Sequence, residues 1–315
     1  MIGAGGPISV ERYMELSNAH YYATRDPLGA AGDFTTAPEI SQMFGEIVGA
    51  ALADCWLRAG APADAVYVEL GPGRGTLAAD ALRVLRKAGF RGEVHFVETS
   101  PLLRAEQAKR VPDARWHESI DDLPDAPLLL VANEFFDALP VRQWIGSEER
   151  RVTVEGDALM FAADGTVREV SPARERAMGA IAERLAAHGG VALVIDYGHE
   201  RSSDGDTLQA VRDHRFADAL AEPGEQDLTA HVDFEALARA ATTAGAVVTS
   251  VVPQGEWLRR LGIEARAAAL AKSRDDRADE IAAAVERLTA PEQMGGLFKA
   301  IAVHSPHWPA PAGFE

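Results

Sequence analysis

One cysteine, Cys55, serves the whole 315-residue chain. An intramolecular disulfide and a cysteine-built metal cluster are therefore excluded, and the helical pattern Ile47–Trp56 makes Cys55 a buried thiol. Long apolar runs are missing too: none approaches the ~18 residues that cross a bilayer. Residues 1–10 carry no basic segment followed by an apolar stretch, so neither a secretory signal nor an Arg-rich transit peptide is expected. A reducing compartment such as a bacterial cytoplasm fits these shortages. Basic residues are scarce, 31 Lys and Arg against 48 Asp and Glu, for a formal charge of −17. Phosphate-backbone binding rests on clustered Lys and Arg, so nucleic acid is not an expected partner. The acidic surplus favours a cationic one, and an arginine-bearing protein has the right sign. No Gly-x-Ser-x-Gly elbow or paired-His motif occurs, which argues against a hydrolase and against a bound metal.

What is present is a core-forming composition, 47% apolar, and one conspicuous turn. Residues 69–75 read Glu-Leu-Gly-Pro-Gly-Arg-Gly directly after the apolar run Ala65-Val66-Tyr67-Val68. A strand that ends in an acid and breaks into alternating glycines lets backbone approach a ligand closely. A dinucleotide fingerprint would need glycine at position 76, which is Thr76. The third glycine comes one residue early, and an acid stands two residues before the first. That pattern resembles motif I of class I S-adenosylmethionine methyltransferases, with Glu69, Gly71, Pro72, Gly73 and Gly75 wrapping the methionine part of the cofactor. A second apolar run ends in Glu98, 23 positions beyond Gly75. An acid about 20 residues past such a turn accepts hydrogen bonds from ribose hydroxyls; Thr99 and Ser100 adjoin it on the cofactor side.

Alternation of short apolar runs with helical stretches indicates βα units in a mostly parallel sheet. Strands are expected at 65–69, 93–97, 115–117, 127–132 and 190–196, with a last pair at 246–252 and 297–304 that includes one antiparallel strand. Helices are expected at 76–88, with Leu77, Ala81, Leu82, Val84 and Leu85 inward, and at 101–109. The organisation expected is a core of residues 61–145, 189–253 and 293–305. Around it stand an N-terminal helical extension (1–60), a β-rich insertion (146–188, with strands at 151–155 and 158–161), a helical insertion (254–292) and a frayed Pro-rich tail (306–315).

The most suggestive polar group follows the fourth strand: Asn133-Glu134-Phe135-Phe136-Asp137. Ligands of doubly wound sheets sit outside the carboxyl ends of the strands, so Asn133 and Glu134 should face the methyl group to be transferred. Glu134 and Asp137 could both address a cation, and a guanidinium matches carboxylates bidentately. Catalysis would be positioning and electrostatics, with a carboxylate taking the departing proton. Residues 32–42 pack Asp33, Thr35, Thr36 and Gln42 into one stretch, read as a lid over the cofactor in which Thr36 and Gln42 reach the ligand; Ser41 or Thr36 can cap the helix that follows. Asp196-Tyr197-Gly198, at the end of the fifth strand, and the polar run holding Asp227, His231 and Asp233 are open between lining the substrate pocket and a structural role.

The segments GDFTTAPEISQMFGE (32–46), ELGPGRGTL (69–77), VETSPLLRAEQ (97–107), ANEFFDALPV (132–141), DTLQAVRDH (206–214), PGEQDLTAHVDF (223–234) and MGGLFKAIA (294–302) resemble the MidA family across residues 8–304. That resemblance implies a class I methyltransferase fold, with a seven-stranded mostly parallel sheet, and S-adenosyl-L-methionine as cofactor. For the family's mitochondrial member it implies dimethylation of an arginine on a respiratory complex I subunit, the 49-kDa-type subunit, in aid of assembly. A small-molecule O- or N-methyltransferase and a cofactor-binding assembly chaperone are the alternatives. Self-association is open.

Overall fold

The computed structural model describes residues 6–24, 36–212 and 215–314. Seven strands form the main path of its central sheet: β1 (Val66–Leu70), β2 (Val94–Val97), β3 (Ala114–His117), β4 (Leu128–Asn133), β5 (Gly190–His199), β6 (Val247–Val248) and β7 (Phe298–His304). They run in the order β6-β7-β5-β4-β1-β2-β3, and two further two-residue strands, Val232–Asp233 and Val252–Pro253, pair off that path. β1 to β5 are mutually parallel, and β7 is antiparallel to its neighbours β5 and β6. β1 and β4 are buried along their whole length, as strands covered on both faces must be. The expected strand at 246–252 is broken. Thr249 leaves the ladder while exchanging hydrogen bonds with Ala302, so Val248 and Val252 pair with Val303 and Ala300 across a bulge.

Alternate residues of each strand feed two cores. Tyr67, Leu129 and Leu193 pack with α2 (Gln42–Arg58), α3 (Thr76–Lys87) and Trp257 on one face. Val68, Leu130 and Val194 pack with α5 (Pro172–His188) and α6 (Phe234–Thr243) on the other. The helix α5 was expected within the β-rich insertion. Instead its Met178, Ile181, Ala182 and Leu185 are fully buried against the sheet, as the crossover leading into β5 requires. The N-terminal extension is equally integral: a Cβ on Gly49 of α2 would stand 2.6 Å from Ala81 Cα, so these two helices approach to backbone contact.

The insertion itself forms two small sheets. Ile8–Ser9 joins Arg151–Glu155 and Ala158–Phe161 in one; Arg142–Ile145 joins Glu148–Glu149 and Val167–Val170 in the other. A third, Gln209–Arg212 with Arg215–Ala217 and Asp227–Thr229, has no counterpart in the expected organisation. The tail is not frayed. Phe314 packs on Trp257 at 5.8 Å between ring centroids. Arg58 and Arg260 donate to the carbonyls of Ala310 and Gly313, and the Cys55 thiol donates to Pro309 O at 3.3 Å. Burial pushes that thiol up to about 12. Among the described residues no helix is long and apolar enough to cross a membrane.

Candidate active site

A cavity of about 720 Å³ opens at the carboxyl ends of β1 to β4, where a doubly wound sheet holds its ligand. Its floor is the glycine loop. Gly71, Gly73 and Gly75 have φ of 57°, 54° and 78°, the left-handed region that side chains resist. A Cβ on Gly71 would lie 3.2 Å from the Phe135 ring, so the loop is as close to the post-β4 turn as a bare backbone allows. Pro72 lines the cavity between them. Gly75 does not line it; this residue starts α3 and lies against Gln107 of α4 (Pro101–Arg110).

Glu98 is buried at the cavity wall, and burial raises its carboxyl above the usual range while hydrogen bonds oppose the shift. Ser100 N donates to one oxygen at 2.8 Å and Gln107 Nε2 to the other at 3.1 Å. Lone pairs on both oxygens are left for ribose hydroxyls. Gln107 had no expected role, yet it is fully buried and ties the site together. Its amide also donates to Gly73 O at 2.7 Å, and its oxygen accepts from Trp116 Nε1 at 2.7 Å. The sequence signal was available: Gln107 stands four residues after buried Leu103, on the same helical face. Thr99 lines the cavity. Ser100 lines it too, with its hydroxyl serving as the N-cap of α4. Glu69 is also on the wall; burial pushes it up to about 8, and the Tyr67 hydroxyl donates to it at 2.6 Å.

The opposite end is built after β4. Glu134 has φ 52°, a conformation that costs a non-glycine residue about 1–2 kcal/mol. Its amide donates to Ile195 O at 2.9 Å. Its carboxylate reaches the cavity, accepting from Asn133 Nδ2 at 3.1 Å and Ala37 N at 3.4 Å. Burial pushes Glu134 up to about 8, with the charges of Asp137 and Asp227 adding to the shift. No described cation forms an ion pair with it.

Asp137 departs from expectation. It is buried off the cavity, where its carboxyl accepts from Ala138 N at 2.8 Å and from Tyr197. The cause is Asp196, fully buried, whose Oδ2 accepts from the amides of both Phe136 and Asp137 and so fixes the turn. Burial raises both acids, and Asp137 raises Asp196 further. Beside them the buried Arg174 donates to the carbonyls of Asp137, Ala230 and His231. Thr36 lines the cavity without capping a helix; Ser41 is the cap of α2. Gln42 does not reach the cavity: it is exposed on the first turn of α2, its amide directed at Glu46. Gly32, Asp33 and Thr35, expected in the lid, lie outside the described residues. Asp233 is the N-cap of α6. The helix α1 (Val10–Thr24) brings two wall residues with no expected role, Asn18 and Tyr22. Asn18 donates to the carbonyls of Ala138 and Leu228, and the Tyr22 hydroxyl donates to Asp227 Oδ1 at 2.7 Å. Among the described residues no group of three or more His, Cys, Asp or Glu could hold a metal.

Residues 47–159 and 151–252 match the Methyltransf_28 family of S-adenosyl-L-methionine-dependent methyltransferases. The chain is 38% identical to the mitochondrial protein arginine methyltransferase NDUFAF7 homolog of Drosophila melanogaster, across 95% of this chain and 82% of that one. It belongs to the MidA family. A second MidA relative, the human mitochondrial protein arginine methyltransferase NDUFAF7, is 34% identical across 96% and 81% of the two chains. Among solved structures, a COG1565 superfamily member from Burkholderia thailandensis bound to S-adenosyl-homocysteine superposes with a TM-score of 0.85 at 28% identity, across 99% and 91% of the chains. The native form of a COG1565 protein from that organism gives 0.81 at 30% identity. The MidA chain is thus a class I methyltransferase that uses S-adenosyl-L-methionine. Its glycine loop, where a Cβ on Gly71 would crowd the Phe135 ring, and the hydrogen-bonded Glu98 fit that cofactor.

Proposed function

We propose that the protein methylates an arginine nitrogen of a protein partner, with a respiratory complex I subunit of the 49-kDa type as the substrate and its assembly as the purpose. One observation carries the acceptor: Glu134 is a half-buried carboxylate on the cavity wall whose charged neighbours Asp137 and Asp227 are acids. An acid raised in this way lacks a counter-ion, and a planar cation supplies one. The names of the NDUFAF7 relatives support the arginine.

The cofactor, held at Gly71, Gly73 and Glu98, supplies an electrophilic methyl group. This chain's residues do the rest. Glu134 orients the guanidinium, draws its positive charge toward the far nitrogens and receives the proton that the acceptor nitrogen loses. Asn133 steadies Glu134 through Nδ2, and Asp196 keeps the turn beneath them fixed. Preorganised charge of this kind is worth several kcal/mol of barrier. Mass spectrometry of the 49-kDa-type subunit from cells with and without the protein tests the reading. A methylated arginine that disappears with the protein is expected; an unchanged arginine mass refutes the substrate.

A further inference from the structure

The glycine loop has a second acid beside it, supplied from outside the methyltransferase core. Glu39 sits in the single helical turn Ala37–Ile40 that precedes α2. Its side chain is on the cavity wall together with Glu69, Gly71 and Gly73. Thr76, the first residue of α3 after the loop, donates its hydroxyl to Glu39 Oε1 at 2.5 Å. That bond fixes the carboxyl against the loop. Oε2 has no hydrogen bond or ion pair among the described residues. The turn is held at its other end as well, by the Ala37 amide on Glu134.

We propose that Glu39 binds the α-ammonium group of the cofactor's amino-acid portion, so that the N-terminal extension completes the cofactor site. The chemistry favours Glu39 over the acid of the glycine motif. Glu69 is 3% exposed and already bonded by the Tyr67 hydroxyl. Glu39 lies nearer solvent, is anchored through one oxygen and presents the other. A charged hydrogen bond to an ammonium is the strong kind. This inference rests on the glycine loop receiving the methionine part of the cofactor.

Two ligands isolate that contact: S-adenosylhomocysteine carries the amino-acid portion, and 5′-methylthioadenosine is the same nucleoside thioether without it. Calorimetric titration of the full chain and of Glu39→Gln with each is the test. Loss of a charged hydrogen bond predicts about tenfold or more weaker S-adenosylhomocysteine binding in the variant. Methylthioadenosine binding should stay within twofold. Thr76→Val, which frees Glu39 from its anchor, should fall between the two for S-adenosylhomocysteine only. Equal S-adenosylhomocysteine affinity in Glu39→Gln and the unaltered chain overturns the proposal, as does a parallel loss for both ligands. Tighter binding of methylthioadenosine than of S-adenosylhomocysteine by the unaltered chain would instead refute the placement of the methionine part on the loop.

Discussion

Replacing Glu134 by Gln should make the protein more stable and inactive at once. In the folded chain this carboxyl is pushed from 4.5 up to about 8. Between those values the native state holds a proton that the unfolded chain has released, so stability falls as pH rises through the window. A shift of 3.5, the difference between 8 and 4.5, at ~1.36 kcal/mol per unit sets a ceiling near 5 kcal/mol. Glu134 is only partly buried at a water-accessible wall, which screens the cost to roughly 2 kcal/mol. Gln keeps the shape and removes the charge. Its Tm should therefore rise at pH 8.5 by about 3 °C, and the gain should shrink below about 1 kcal/mol at pH 5, where the carboxyl is neutral in the fold. Methyl transfer should drop by about 10²–10³-fold, with S-adenosylhomocysteine affinity within a few fold. In the unaltered enzyme kcat/KM should climb with pH toward a plateau above about 8, as the acid ionises. Scanning calorimetry at the two pH values, beside a methyl-transfer assay, reads all of this. A Tm gain equal at both pH values, or surviving activity, would refute the reasoning.

Gly71→Ala places a Cβ 3.2 Å from the Phe135 ring at φ 57°; a stability loss of about 1–2 kcal/mol and at least tenfold weaker S-adenosylhomocysteine binding are expected by calorimetry. Gln107→Leu removes the partner of Glu98, Gly73 O and Trp116 together. Unsatisfied buried groups cost about 1–3 kcal/mol each, so urea unfolding should shift clearly and cofactor affinity should fall with it. Phe314→Ala deletes the ring that covers Trp257 and should cost roughly 3 kcal/mol, seen as a lower Tm with unchanged cofactor affinity; an unaltered Tm would mean the tail is not part of the core.

Period and punctuation made the parallel strands and α3 legible, because strands buried on both faces read as short continuous apolar runs. The glycine loop was legible for a related reason: few sequences other than a close-approach turn place glycines at 71, 73 and 75. Side-chain direction was not. Asp137 looks like a second cavity acid until Asp196, 59 residues away, takes its backbone amide. The helix α5 lay next to a β-rich insertion in sequence, so only packing shows that it covers the sheet. Contacts at very long range left no local trace, as with Asn18 and Leu228, 210 residues apart. Glu134 is the sharpest case: its backbone conformation normally calls for glycine, so local preference would never select a carboxylate there. A strained acid retained at a ligand wall is what function adds to folding.

The bond from Asn18 to Ala138 and Leu228 has a consequence for anyone who trims this enzyme. The recognisable family segment starts at residue 47, yet Asn18, Tyr22, Thr36 and Glu39 all border the cavity upstream of it. A fragment cut at that boundary would keep its glycine fingerprint and forfeit one wall of its reaction chamber, along with the clasp that joins two distant stretches of chain. Minimal versions for engineering should begin before Val10.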